Sequence, residues 1–372
     1  MLSRCLGAQR ILGGNQVESA VQTQPVRPFR PLALGIAVFL FGFGGCAANA
    51  YAKTLDVYVS PSGVDTANGM RAEAPVASLA RVQDIVAENA QGYDEVRVLF
   101  APGIYRGQGV EWRTFPGVWT RFQPSSRKGA VIFDGQGGQQ SVFFQGLAPI
   151  PTNDAPPVSM KLSFSGLTIR NYCEGISLKA WADDVRRPGG RDVVVTESRF
   201  ENIGSKFDPV KVNKRPRGNC TAAVRLQGVG HGKIEGNKFQ NIVNLFGNQT
   251  GSKKFGRGQL HAIYIANMSQ DNKIIGNHFD NFSGDPIRIR DKSDRTEVSR
   301  NIFGSPSDNT KPGEIHAISQ WYCNQNVRAC VQRRVSRNEC ESAELELKNN
   351  RIEGKNVADY ADRAEGKPTC AK

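Results

Sequence analysis

Between residues 165 and 355 the chain repeats one pattern of apolar and polar positions. A short β-branched run ends in Asn, one residue, Phe, one residue, Asn. Lys233–Asn241 and Lys273–Asn281 are nearly superimposable copies, while Val193–Asn202, Thr296–Phe303 and Leu345–Ile352 are looser ones, and Thr168–Asn171 is a fragment. A second short alternating strand follows the copies, at Ala223–Leu226, Ala262–Ile265, Pro286–Ile289 and Ala317–Ser319. Ile263 and Ile287 are 24 residues apart, about one turn of a three-sided β coil. Self-similarity at this period, without long helical patterns, predicts stacked β coils that cover one another's cores. Alternation then sends Val224, Leu226, Ile263, Ile265, Ile287 and Ile289 inward, and lines up Arg225, Tyr264 and Arg288 outward as one column. Asparagines recurring at the turns are expected to form a ladder of side-chain amides that satisfies polar groups there.

The N-terminal region departs from this pattern. Arg27 and Arg30 precede an apolar run from Leu32 to Gly45, followed by small residues up to Ala52. The run is about 14 residues, short of the roughly 20 that span a bilayer, so residues 1–52 read as a cleavable signal peptide with no stable membrane span. The expected location is periplasmic or secreted. Residues 53–320 are expected to form the coil body, and 321–372 the last coil with a cysteine-rich cap.

Charge narrows the partner. The net charge of the 372-residue chain is +13, and it stays strongly basic without Arg4, Arg10, Arg27, Arg30 and Glu18. Such a field favours polyanions. Export removes nucleic acid as a partner, and the basic loops lack the interleaved aromatics that stack bases. An acidic polysaccharide remains as the expected partner of a monomeric chain. Six cysteines follow the leader: Cys173, Cys220, Cys323, Cys330, Cys340 and Cys370. In an oxidising compartment an even count suggests disulfides, with two expected among the last four to pin the tail.

Val57–Asp65, the predicted helix near Ser78–Ala90 and Val96–Tyr105 with its Pro-Gly-x-Tyr turn resemble the pectate-lyase-like superfamily. The resemblance covers residues 55–355 and implies an all-β, single-stranded, right-handed parallel β-helix. It also implies a capping helix at the N-terminal end of the coils. One scaffold hosts lyases, hydrolases, epimerases and binding proteins, so activity must be read from the site.

The candidate catalytic residues are Tyr264 and His261 on one coil, with Arg288 and Asp285 on the next. Deprotonating a uronate at C5 needs a cation on the carboxylate and a base for the proton. Arg288 would hold the carboxylate, Tyr264 or His261 would take the proton, and Asp285 would orient the histidine or help bind calcium. Arg225, one coil earlier, would hold a neighbouring sugar. Arg290, Lys292 and His316 complete the expected binding face. Two long basic inserts, with Lys211 and Lys214 in 204–220 and Lys253 and Lys254 in 248–260, would wall it. Asp285, Asp291 and Asp294 are candidate calcium ligands without a tight cluster; no metal set is assigned.

Leu260–Ile265 followed by Arg288–Arg290 is similar to the His-Gly and Arg-Ile-Lys segments of polygalacturonases, but the acidic motifs of that family are missing. Asp285–Pro286 is similar to the Asp-Pro-His of mannuronan epimerases, with Ile287 in the histidine's place. The expected activity is that of a polysaccharide lyase or C5-epimerase on an acidic exopolysaccharide. A non-catalytic polysaccharide-binding β-helix is the alternative, and a glycoside hydrolase the third.

Overall fold

In the computed structural model the described residues are 52–136, 141–149, 156–180, 187–207, 220–244, 257–308, 313–323 and 339–365. Nearly all of the expected leader, the tips of both basic inserts and the end of the tail lie outside them. Among the described residues no helix is long and apolar enough to cross a membrane.

Alternating burial winds the chain into three parallel sheets. Among the described residues the first has nine strands, from Thr54–Val59 to Glu346–Lys348; the second and third have eight each, ending in Val357–Glu365 and Arg351–Ile352. Every third strand returns to the same sheet, one coil further on, and all pairings are parallel. Parallel crossovers of this kind are right-handed, as in the right-handed β-helix. The helix Leu79–Asn89 buries Leu79, Val82, Ile85 and Val86, and its first turn is capped by the Ser78 hydroxyl, which accepts from the Arg81 N–H.

The repeated Asn-x-Phe-x-Asn accounts for the corners. Phe200, Phe239, Phe279 and Phe303 stack with successive ring centroids 5.0 Å apart. The first asparagine is buried in three copies, as Asn237, Asn277 and Asn301; Ser198 takes the place in Val193–Asn202, and Asn350 is half-buried. Asn277 Oδ1 accepts from both the main-chain N–H and the side-chain amide of Asn237, and Asn301 Oδ1 does the same for Asn277. The second asparagine turns the strand in the left-handed region, at φ 56° for Asn202, 58° for Asn241 and 53° for Asn281. Its amide reaches the preceding coil, Asn281 to Asn241 and Asn241 to Asn202.

Val224, Leu226, Ile263, Ile265, Ile287 and Ile289 are fully buried in the core. Cys173 and Cys220 form a disulfide across adjacent coils of the second sheet, a pairing that sequence had left open. Cys340 is also disulfide-bonded. The Cys330 and Cys370 positions and the Cys323 side chain lie outside the described residues.

Candidate functional site

The second sheet carries the candidate site on its outer face. Its register pairs Ser177 with Arg225, Arg225 with Tyr264, Tyr264 with Arg288 and Arg288 with Ser319. These five side chains form one column across five coils. The residue three positions before a column member reaches the same face: Asp285 bonds Arg288, Glu174 pairs with Arg225, and His261 stacks on Tyr264. Ala222 pairs with His261 in register, and Ala222, Tyr264 and Ala266 form a small cluster separate from the main core. A second column therefore contains Glu174, Ala222, His261, Asp285 and His316.

Each arginine is held by a carboxylate and by a neighbour on another coil. Arg288 donates from Nη2 to Asp285 Oδ2 at 2.6 Å and from Nε to Ser319 Oγ at 2.7 Å. Arg225 donates from Nε and Nη2 to Ser177 Oγ at 2.9 and 2.7 Å, and its Nη2 lies 3.0 Å from Glu174 Oε2. That last contact is an ion pair without hydrogen-bond alignment, since Oε2 has no hydrogen-bond donor. Arg290 forms a two-pronged pair with Glu339, donates from Nη1 to the Tyr264 hydroxyl at 3.3 Å, and lies 3.7 Å above the Trp321 ring. Guanidiniums fixed at two or three points keep their geometry when a ligand arrives.

His261 is buried, with Nδ1 2.7 Å from the Asp285 carbonyl oxygen. A carbonyl only accepts, so Nδ1 carries the proton. Asp285 thus orients the ring through its main chain, while its carboxylate is committed to Arg288 and, at 2.9 Å, to the His316 N–H. Burial, followed by the positive charge of Arg288, pushes the imidazole pKa down to about 3. His261 is neutral near pH 7 and a weak base, stacked at 5.6 Å against Tyr264. Tyr264 is only 9% exposed, its hydroxyl accepts from Arg290, and in register it neighbours Arg288 on the next coil.

The other expected positions divide. His316 stands next to Asp285 on the following coil. Lys292 falls beyond its strand in a left-handed turn, at φ 56°, where its charge acts on Asp294 and its N–H bonds to Cys340; it does not join the columns. Lys211, Lys214, Lys253 and Lys254 lie outside the described residues. The three candidate calcium ligands do not converge. Asp285 serves Arg288 and His316, Asp291 Oδ1 accepts from the Cys340 N–H, and Asp294 Oδ1 from the Ala343 N–H. Among the described residues no three acidic, histidine or cysteine side chains gather to hold a metal.

Sequence reading missed Glu174, Glu339, Ser177, Ser319 and Trp321. Lys179 also lies on this sheet, in the strand that follows Cys173; burial, then Arg225, lowers its ammonium pKa. The only sequence signal for the two glutamates is their position beside a disulfide cysteine, Cys173–Glu174 and Glu339–Cys340.

No family model and no curated protein matches the chain. Among solved structures it is similar to the pectate lyase Pel9A, at 10% identity over 84% of this chain and 80% of that one, with a TM-score of 0.43. It is also similar to an alginate lyase from Paenibacillus sp. str. FPU-7, at 10% identity over 82% and 99% with a TM-score of 0.32. A glycoside hydrolase follows at 8% identity over 80% and 96%, with a TM-score of 0.29. The parallel β-helix itself rests on the three parallel sheets of this chain. Likeness at this level concerns the path of the backbone, and the reaction has to be argued from the columns.

Proposed function

We propose that the outer face of the second sheet is the active site of a polysaccharide lyase or C5-epimerase acting on an acidic, uronate-containing exopolysaccharide. The observation that carries this reading is the register of Tyr264 against Arg288, which makes the two neighbours on adjacent coils of one outer face. Arg288 binds the uronate carboxylate and stabilises the enediolate that forms when C5 loses its proton. Tyr264, reacting as the phenolate against the Arg290 guanidinium, takes that proton and as the phenol can pass it to the departing C4 oxygen. Arg290, locked by Glu339 and Trp321, holds the phenol oxygen in place rather than binding sugar. His261 packs under Tyr264 as a neutral spacer. The two reactions share this step; they diverge when the carbanion either expels the C4 oxygen or is reprotonated from the other side.

Glycoside hydrolysis is less well supported. Glu174, Asp285 and Glu339 do reach the face, but each is engaged by an arginine, which suits a fixed acceptor rather than the proton donor that hydrolysis needs. Incubating the mature chain with uronate polymers and examining the products by NMR tests the reading. An unsaturated terminal ring identifies a lyase and an inverted C5 an epimerase; a polymer that is bound but unchanged leaves the binding-protein alternative.

A further inference from the structure

The first column is symmetric about Tyr264: Ser177, Arg225, Tyr264, Arg288, Ser319. The two arginines are anchored alike. Each donates from Nε to a serine hydroxyl on the coil facing away from Tyr264, at 2.9 Å for Arg225 and 2.7 Å for Arg288. Each sets Nη2 against a carboxylate of the second column, 3.0 Å to Glu174 and 2.6 Å to Asp285. Among the described residues neither Nη1 has a protein hydrogen-bond partner, and the side chains remain 15% and 12% exposed. The face thus contains two copies of one half-filled guanidinium site. They are two coils apart, roughly 10 Å at about 4.8 Å per coil, with Tyr264 and the neutral His261 imidazole between them.

An extended pyranose polymer lying along the column advances by about one ring per coil. A ring at Arg225 and a ring at Arg288 are therefore next-but-one neighbours, not adjacent. Because each arginine is already paired with a carboxylate, net charge attracts little; what remains is a directed N–H edge that suits a planar carboxylate. Building on the proposed uronate chemistry, we infer that the substrate is an acidic glycan with a disaccharide repeat, a uronate alternating with a neutral sugar. Two successive uronates are read by Arg225 and Arg288, and the neutral ring lies over Tyr264.

Calorimetric titration of the mature chain with unsulfated chondroitin di- and tetrasaccharides tests this, with tetragalacturonate as the polymer that is acidic at every ring. The tetrasaccharide should bind about tenfold tighter than the disaccharide, or better, because it spans both sites. Arg225→Ala should remove that gain and leave one disaccharide site, at Arg288, with its affinity unchanged. The Arg225→Gln/Glu174→Gln double variant, which leaves no unpaired carboxylate, should behave the same way if the single variant misfolds. Equal affinity for the two lengths, equal loss for both in the variants, no binding of either, or a tetragalacturonate affinity that matches the tetrasaccharide's would overturn the inference. The length gain without turnover supports the two-site reading while removing the lyase or epimerase; C5 chemistry on homopolymeric uronate alone does the reverse.

Discussion

His261 is oriented by the main chain of Asp285, not by its carboxylate: Nδ1 lies 2.7 Å from the carbonyl oxygen one coil away, while the carboxylate grips Arg288. One residue thereby fixes two members of the site in different ways. The histidine receives a tautomer, and the arginine receives a direction. The pair explains why His261 is a poor general base even though it touches Tyr264.

This arrangement makes stability depend on pH. The imidazole titrates near 6.5 when exposed and near 3 in the fold, so unfolded chains bind a proton that folded ones refuse between those values. Its contribution is fully present above pH 6.5 and is lost as pH falls toward 3, at about 1.4 kcal/mol per pH unit. Urea unfolding at pH 7, 6, 5 and 4 should show a shallower decline for His261→Gln than for the native chain. Parallel declines would mean that His261 does not titrate this way.

The Cys173–Cys220 disulfide adjoins Glu174, which holds Arg225 and accepts from the Thr221 N–H at 3.1 Å. Replacing both cysteines by serine should lower stability by about 2–4 kcal/mol, measured by denaturant titration. It should also weaken any ligand that depends on Arg225 while leaving Arg288 contacts in place. A variant as stable as the native chain would show that the amide ladder alone holds these coils together.

Within that ladder Asn277 and Asn301 make the same full set of bonds. Asn277 accepts twice from Asn237 and donates to the Ile234 carbonyl and Asn301. Asn277→Ala strands buried polar groups on both neighbouring coils and should cost about 2–4 kcal/mol. Asn281→Ala, at a half-buried position of the outer ladder, should cost less, with the left-handed φ of 53° as its main penalty. Thermal unfolding of the two variants side by side checks the order.

Tyr264 over Arg288 was readable in advance because their strands, 24 residues apart, share a two-residue alternation, and Arg225 joined the column by the same alternation once the longer insert was set aside. Glu339 was not readable. It reaches Arg290 from 49 residues away, across an insert whose length hides its place in the coil. Glu174 was hidden in the same way, 47 residues from Thr221. His261 was readable as a member of the face but not in its role, since its burial and its Asp285 carbonyl partner come from the next coil and not from alternation. Lys292 was misplaced because the strand ends at Arg290 and turns left-handed.

The central claim is that Tyr264 and Arg288 together remove a proton from C5 of a bound uronate. The most direct measurement is proton NMR of uronate-containing oligosaccharides incubated with the mature chain in D2O, since both elimination and epimerisation pass through a C5 carbanion. The account predicts loss of the C5–H signal with the native chain, a rate lower by about 10²–10⁴-fold for Tyr264→Phe with binding retained, and no detectable loss for Arg288→Ala. A C5–H signal that persists in bound oligosaccharide with the native chain, or that disappears equally fast with Tyr264→Phe, would contradict it.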